Sequence, residues 1–187
     1  MFHVMNAWED GARVFVDVAQ YEEAPLFPRA DGAPTDPARA RARLCRWTFD
    51  LDGNSESFTR DYLDDLAGEF PRLDERHAGL AYRHGYYACN AGGGPGLNAV
   101  ARIDHATGRR ALHRLPPGDS TSEPVFVPRT PDAAEGDGVL LAVIWRDAEK
   151  RSDLIVLDAQ AVDRPPLATV QLSHRVPFGF HGNFVAA

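Results

Sequence analysis

The chain has 187 residues, enough for one domain with a sizeable core and too few to argue for two. Hydrophobic residues make up 44% and charged residues 25% of it, which is ordinary for a soluble globular protein. The formal net charge is −7 and no basic run stands out to neutralise phosphates, which argues against a nucleic-acid-binding surface.

The cysteines and the N-terminal residues indicate the compartment. Cys45 and Cys89 are the only cysteines in the sequence, so neither a disulfide framework nor a zinc-site spacing is implied. Residues 1–18 lack the basic region and apolar core of a signal peptide. No apolar run approaches the roughly 18 residues that a membrane helix needs. The sequence therefore predicts a cytoplasmic protein without a transmembrane segment.

The first third of the chain predicts three strands around a long loop. Residues 13–18 alternate polar and apolar side chains, as a half-buried strand does. Residues 22–37 are rich in Pro, Ala, Gly and Asp, which is typical of a surface loop, and residues 38–43 allow one helical turn. Residues 44–51 and 57–62 are predicted to pair as a hairpin, because an Asp-Gly turn signal lies between them.

The middle third predicts a further strand and a hairpin. Residues 61–74 are acidic and show little strand character. Residues 80–89 are enriched in tyrosine and predict a strand. The glycine-rich residues 91–96 lack the Gly-Lys-Ser/Thr ending of a phosphate loop, so they predict a flexible loop and no nucleotide site. Residues 98–104 and 109–115 flank a His-Ala-Thr-Gly turn and predict a hairpin.

The last third completes an all-β pattern. Residues 138–145 are nearly all apolar and are predicted to be buried on both faces of a sheet. Residues 124–128, 153–157 and 167–172 predict further short strands. About ten short strands separated by turns, without a convincing long helix, fit a sandwich, a barrel or a propeller. No sequence repeat is strong enough to choose among these three architectures.

Two histidine motifs lie near opposite ends of the chain. Residues 2–9 read Phe-His-Val-Met-Asn-Ala-Trp-Glu, and residues 177–182 read Pro-Phe-Gly-Phe-His-Gly. Between them, residues 68–71 read Gly-Glu-Phe-Pro, and residues 122–128 read Ser-Glu-Pro-Val-Phe-Val-Pro. Together these stretches resemble the carotenoid cleavage oxygenase family, which includes carotenoid and apocarotenoid dioxygenases, lignostilbene dioxygenases and the retinal pigment epithelium isomerase. The resemblance extends over the whole chain.

The resemblance implies a fold and a metal. It implies the C-terminal three to four blades of a seven-bladed β-propeller, so residues 1–187 are predicted to form one partial propeller domain. It implies that His3 and His181 bind iron(II), for which imidazole is a good ligand. It also implies that Glu69 and Glu123 each accept the second ring N–H of one of these histidines, which fixes the orientation of the imidazole. Without the resemblance, structural histidines and solvated loop acids are the simpler interpretation.

The implied activity is dioxygenation. The resemblance implies that O₂ splits a carbon–carbon double bond of an apolar, conjugated small molecule, namely a carotenoid, an apocarotenoid or a stilbene. Residues 47–53 are more similar to the bacterial lignostilbene-type members than to the retinal isomerase. Phe2, Trp8, Phe178 and Phe180 either line a tunnel for such a substrate or pack the core.

The sequence departs from the family in its number of histidine motifs. The family uses four iron-binding histidines, and only the last two motifs are matched here. The other two, with the N-terminal half of the propeller, are expected upstream of Met1, so the chain alone is predicted to be inactive. The alternative is a truncated, non-catalytic β-propeller fragment or binding module. Five histidines match no motif and are predicted to lie at the surface: His77, His84, His105, His113 and His174.

Overall fold

The computed structural model describes residues 1–53 and 56–186, so residues 54, 55 and 187 of the predicted domain lie outside the described residues. It contains an antiparallel sheet of seven strands in chain order and a second antiparallel sheet of five strands. The first sheet is formed by β1 (Val4–Asp10), β2 (Arg13–Gln20), β3 (Arg43–Asp50), β4 (Thr59–Leu73), β5 (His84–Asn90), β6 (Ala99–Asp104) and β7 (Arg109–Arg114). The second is formed by β8 (Ser120–Thr121), β9 (Val125–Pro128), β10 (Gly138–Arg146), β11 (Arg151–Asp158) and β12 (Ala168–Gln171).

The prediction of an all-β fold is confirmed. In the described part of the chain, one short 3-10 turn at Glu75–His77 is the only helical element. The hairpin predicted from residues 98–104 and 109–115 is confirmed as β6 and β7, which pair over their whole length. Within residues 1–53 and 56–186, no helix has the length and apolar character required to span a bilayer.

The two sheets divide into three four-stranded units. The beginning of β4 pairs with β3, whereas its end, from Ala67 onward, pairs with β5. β4 therefore closes the first unit, β1 to β4, and opens the second, β4 to β7. β8 and β9 pair with successive parts of β10 and together form the broken first strand of the third unit, which continues through β11 and β12. Four-stranded antiparallel units of this kind are the blades of a propeller, and three blades lie within the predicted range.

The first strands of the three units lie side by side. β1 lies against β4, and β4 lies against β9. In a propeller the innermost strands are the ones that meet around the central axis. Side chains that project from the beginnings of these strands therefore approach one another across unit boundaries.

The core lies on both sides of the second unit. Alternate side chains of a strand point to opposite faces of the sheet. Tyr86 therefore packs with Leu140 of the third unit, whereas its neighbour Tyr87 packs with Met5 of the first unit. Six of the seven residues of β5 are buried as a result.

The prediction that residues 61–74 have little strand character is wrong, because most of them belong to β4, a strand of 15 residues. Its Asp64 is buried, yet it accepts hydrogen bonds from the Tyr87 hydroxyl and the Arg110 guanidinium. Such partners offset the cost of burying a carboxylate. Gly68 is required for packing, since a Cβ there would lie 2.6 Å from the Tyr87 ring.

The prediction that residues 138–145 are buried on both faces is also wrong. Within β10, Leu140, Ala142 and Ile144 are buried, whereas the residues between them are only half-buried. The buried face packs against the second unit, and the opposite face borders the cavity described below. An apolar run alone did not distinguish one covered face from two.

Of the five histidines predicted at the surface, only His174 is exposed. His84 is buried in β5, and His77, His105 and His113 are half-buried. Burial lowers the pKa of the His84, His105 and His113 imidazoles below its ordinary value.

Candidate metal centre

The candidate site forms where the first strands of the three units meet the C-terminal segment. His3 immediately precedes β1, Glu69 lies in β4, Glu123 lies between β8 and β9, and His181 lies in the segment after β12. The amide of Ala19 donates to the carbonyl of His3 at 3.0 Å, which extends the pairing of β1 and β2 as far as the histidine. The fold thus brings together all four site residues that the sequence singled out.

The two imidazoles face each other through their Nε2 atoms. Nε2 of His3 and Nε2 of His181 lie 3.2 Å apart, although 178 positions separate the residues in sequence. The rings are nearly perpendicular, with a centroid distance of 4.8 Å and an interplanar angle of 77°. The His3 side chain is 23% exposed and that of His181 is 54% exposed.

Glu69 orients His3 from behind. Nδ1 of His3 lies 2.6 Å from Oε2 of Glu69, and the amide of Phe70 donates to the same oxygen at 2.8 Å. The Tyr21 hydroxyl donates to Oε1 at 2.6 Å. Burial, followed by the bond to Glu69, raises the pKa of Tyr21, so this hydroxyl keeps its proton.

The backbone beside Glu69 is distorted, and its carboxylate points toward His3. Phe70 has a φ of +55°, a region that residues with a Cβ rarely adopt. The pairing register of β4 with β5 shifts between Glu69 and Arg72, which is a β-bulge. Bulges redirect side chains and are common beside functional sites. The Phe70 ring also covers the site, at centroid distances of 5.2 Å from His3 and 6.0 Å from His181.

Glu123 orients His181 in the same manner. Nδ1 of His181 lies 3.1 Å from Oε1 of Glu123, and the amide of Gly182 donates to Oε2 at 3.0 Å. The Arg72 guanidinium lies 3.6 Å from Oε2 and adds a positive charge. Glu123 is only 4% exposed, so these partners compensate for the lost hydration of its carboxylate.

The hydrogen bonds determine which ring nitrogens are free. Because a carboxylate only accepts, the Nδ1 atom of each histidine carries the proton. In a neutral ring with this tautomer Nε2 presents a lone pair, and the two Nε2 atoms lie 3.2 Å apart. Two lone pairs that face each other repel, so the arrangement is suited to a shared cation. Among the residues that the structure describes, no group of three or more His, Cys, Asp or Glu side chains could hold a metal ion.

A cavity of about 570 Å³ adjoins His181. Its aromatic lining includes Trp145, Phe178 and Phe180, and it also borders Glu123. The Arg175 guanidinium lies over the rings of Trp145 and Phe178 at 5.1 and 5.5 Å from their centroids. The size and mostly apolar lining are those of a small-molecule site.

The four aromatic residues singled out in the sequence have different positions. Phe178 and Phe180 line the cavity, whereas Trp8 is buried in the core and Phe2 contacts the ring of Tyr21. Sequence reasoning missed Tyr21, because nothing in its surroundings connects it to a carboxylate 48 residues away. It also missed the strain at residue 70, for which only the Phe-Pro pair gave a local sign.

Comparisons with known proteins agree with the motifs. Residues 1–186 match the family model described as retinal pigment epithelial membrane protein. Lignostilbene-α,β-dioxygenase isozyme III of Sphingomonas paucimobilis is 40% identical, over 99% of this chain and 41% of the relative. Isoeugenol monooxygenase of Pseudomonas nitroreducens is 37% identical, over 99% of this chain and 41% of the relative.

The solved structures give the same result. The crystal structure of Pseudomonas brassicacearum lignostilbene dioxygenase matches with a TM-score of 0.89 and 30% identity, over 99% of this chain and 41% of that one. Cobalt-substituted apocarotenoid oxygenase (ACO) of Synechocystis matches with a TM-score of 0.87 and 30% identity, over all of this chain and 39% of that one. The chain therefore spans about two-fifths of the length of these relatives.

Proposed function

Because this chain belongs to the carotenoid cleavage oxygenase family, whose model is described as retinal pigment epithelial membrane protein, we propose that it is part of a non-haem iron(II) dioxygenase. The reaction is the cleavage of a carbon–carbon double bond by O₂, with one oxygen atom entering each of two carbonyl products. The substrate is a conjugated, largely apolar molecule of the stilbene or apocarotenoid type. The observation that carries the proposal is the pair of convergent Nε2 atoms, each backed by a carboxylate.

The donor set fits iron(II). Nitrogens in adjacent positions around one ion, each at about 2.1 Å, lie about 3 Å apart, which is close to the observed 3.2 Å. Neutral imidazole suits divalent iron, and His3 and His181 are neutral donors when Nδ1 carries the proton. Glu69 and Glu123 fix this tautomer. Iron(II), when bound, would supply the redox chemistry that lets O₂ react with an alkene.

The chain's own residues orient the two imidazoles and place apolar rings beside them. Glu69 and Glu123 hold the two imidazole planes in fixed orientations. The rings of Phe70 and Phe180, 6.5 Å apart, provide apolar surface beside the nitrogens, with Phe180 itself 68% exposed. The adjoining cavity supports a conjugated substrate, because its lining is mostly apolar and includes the aromatic side chains of Trp145 and Phe178.

A second candidate function is a non-catalytic binding module. The observation that favours it is the number of donors, since the described residues bring only two imidazoles to the site. Two donors leave most coordination positions to water, so iron(II) would exchange and oxidise readily. We therefore propose that the 187-residue chain does not turn over by itself, and that catalysis needs histidines supplied from outside it.

Sequencing of the genomic DNA upstream of Met1, followed by expression of any in-frame extension, tests the proposal. The 187-residue chain and the extended protein are assayed with iron(II), ascorbate and a panel of stilbenes and apocarotenoids, following loss of the conjugated absorbance. The short chain should show no turnover, and the extended protein should cleave at least one substrate. His181→Ala should abolish that activity, whereas His174→Ala, at an exposed position outside the site, should retain it. Turnover that survives His181→Ala, or turnover by the short chain, would contradict the proposal.

A further inference from the structure

Tyr21 forms the outer end of a hydrogen-bonded chain that leads to His3. Its hydroxyl donates a hydrogen bond to Oε1 of Glu69 at 2.6 Å. Oε2 of the same carboxylate lies 2.6 Å from Nδ1 of His3 and accepts a hydrogen bond from it. Tyr21 directly follows β2, whose Ala19 amide also bonds to the His3 carbonyl. Tyr21 thus lies two residues after the strand residue whose amide bonds to His3.

The second carboxylate oxygen needs an anchor. Nδ1 of His3 and the Phe70 amide both bond to Oε2 of Glu69. With these bonds alone the carboxylate could pivot on Oε2, and a partner at Oε1 prevents that movement. At the other histidine, Glu123 has one oxygen bonded to His181 and the other to the Gly182 amide. Tyr21 therefore does for Glu69 what a backbone amide does for Glu123.

We propose that Tyr21 is a positioning residue, whose hydroxyl fixes the Glu69 carboxylate and through it the tautomer and ring orientation of His3. The Tyr21 ring is itself held by an edge-to-face contact with Phe2 at 5.4 Å. Removal of the hydroxyl alone leaves this ring contact in place. The consequence for metal binding rests on the proposed function, whereas the consequence for the His3 tautomer does not.

The test compares Tyr21→Phe with the wild-type chain and with Tyr82→Phe. Tyr82 also donates its hydroxyl to a carboxylate, that of Asp17, but Asp17 bonds to Arg46 and lies outside the site. Tyr82→Phe therefore matches the loss of a tyrosine–carboxylate bond without affecting the site. Circular dichroism melting of all three proteins verifies that each is folded.

Two readouts are taken on the metal-free chain and on its cobalt(II) titration. In ¹⁵N-histidine NMR spectra, wild type and Tyr82→Phe should show His3 with the proton on Nδ1, and Tyr21→Phe should show a mixture of tautomers. By calorimetry, the cobalt(II) dissociation constant should rise about tenfold in Tyr21→Phe, the lower end of the range for residues behind a ligand. It should not change in Tyr82→Phe.

The outcomes separate the two proposals. An unchanged His3 tautomer in Tyr21→Phe overturns the positioning role, whatever the metal does. If the His3 tautomer changes in Tyr21→Phe but the wild-type chain binds no cobalt(II), the positioning role is supported and the metal site is not. Equal tautomer changes in Tyr21→Phe and Tyr82→Phe would mean a general effect of losing a buried hydroxyl, and would also overturn it.

Discussion

His105 is a base in surroundings that disfavour its charge. Its ring packs edge-on against Tyr82 at a centroid distance of 4.7 Å, and burial lowers its pKa from 6.5 to about 4. In the unfolded chain a histidine titrates near 6.5. Between about pH 6.5 and pH 4 the unfolded state therefore binds more protons than the folded state, and folding is penalised as the pH falls.

We expect the free energy of unfolding to decrease as the pH is lowered from about 7 to about 4, and the His105 contribution to level off below about pH 4. A pKa difference of this size corresponds to at most about 3 kcal/mol. Burial also lowers the pKa of His84 and His113, which adds to the slope in the same direction. Urea unfolding at a series of pH values measures the dependence.

His105→Gln should flatten the pH dependence, because glutamine does not titrate. His174→Gln provides the control, since His174 is exposed. The same slope in His105→Gln and wild type between pH 7 and pH 4 would show that other groups govern acid sensitivity.

At the residue scale, the convergence of His3, His181, Glu69 and Glu123 was predictable from the motifs, whereas their roles at a metal remain a prediction. Each has neighbours of distinctive type, such as a following glycine or a Phe-Pro pair, that a motif records. The role of Tyr21 was not predictable, because its contact with Glu69 depends on the bulge near the end of β4 and on strand pairing. Such contacts depend on tertiary register and not on local composition.

The loop between β9 and β10 fastens the third unit to the second. Oε1 of Glu135 accepts hydrogen bonds from the amides of Arg83 and His84, at 2.7 and 2.9 Å. The Arg76 guanidinium donates hydrogen bonds to two backbone carbonyls of the loop. Gly136 follows directly, with a φ of +76°, and a Cβ there would lie 2.5 Å from the His84 ring. The loop reaches the buried imidazole only because residue 136 has no side chain.

Gly136→Ala should destabilise the chain by about 2 kcal/mol, because it combines an unfavourable left-handed backbone with a clash against a buried ring. Gly92→Ala is the matched control. Gly92 has a φ of +91°, but a Cβ there meets nothing within 4 Å. Denaturant unfolding of both variants separates the clash from the backbone strain, and equal losses would contradict the role assigned to the His84 contact.

At the element scale, pattern reasoning worked for hairpins and failed for strands whose burial is set by neighbouring units. β6 and β7 are local, with a turn signal between them, and were predicted. The beginning of β4 was predicted as the second strand of a hairpin with β3, whereas its later part was missed, because the acidic residues there resemble a loop until Tyr87 and Arg110 are seen to satisfy Asp64. β5 is covered on both faces and β10 on one, although β10 has the more apolar sequence.

At the scale of the whole molecule, each of the three units contributes one side chain to the candidate metal centre. The first strands of the three units bring His3, Glu69 and Glu123 together, and the segment after β12 adds His181. These residues are 66, 54 and 58 positions apart in the chain, so no local segment contains the site. The site therefore depends on the correct stacking of all three units, a dependence that composition and periodicity did not reveal.

Anomalous X-ray scattering from crystals of this chain soaked in cobalt(II), with data collected on both sides of the cobalt absorption edge, tests the central claim most directly. We expect one anomalous peak between the two imidazoles, about 2 Å from Nε2 of His3 and from Nε2 of His181. We also expect Glu69 and Glu123 to remain bonded to the Nδ1 atoms. A peak elsewhere with none between the imidazoles, or no peak at saturating cobalt(II), would contradict the assignment of these histidines as metal ligands.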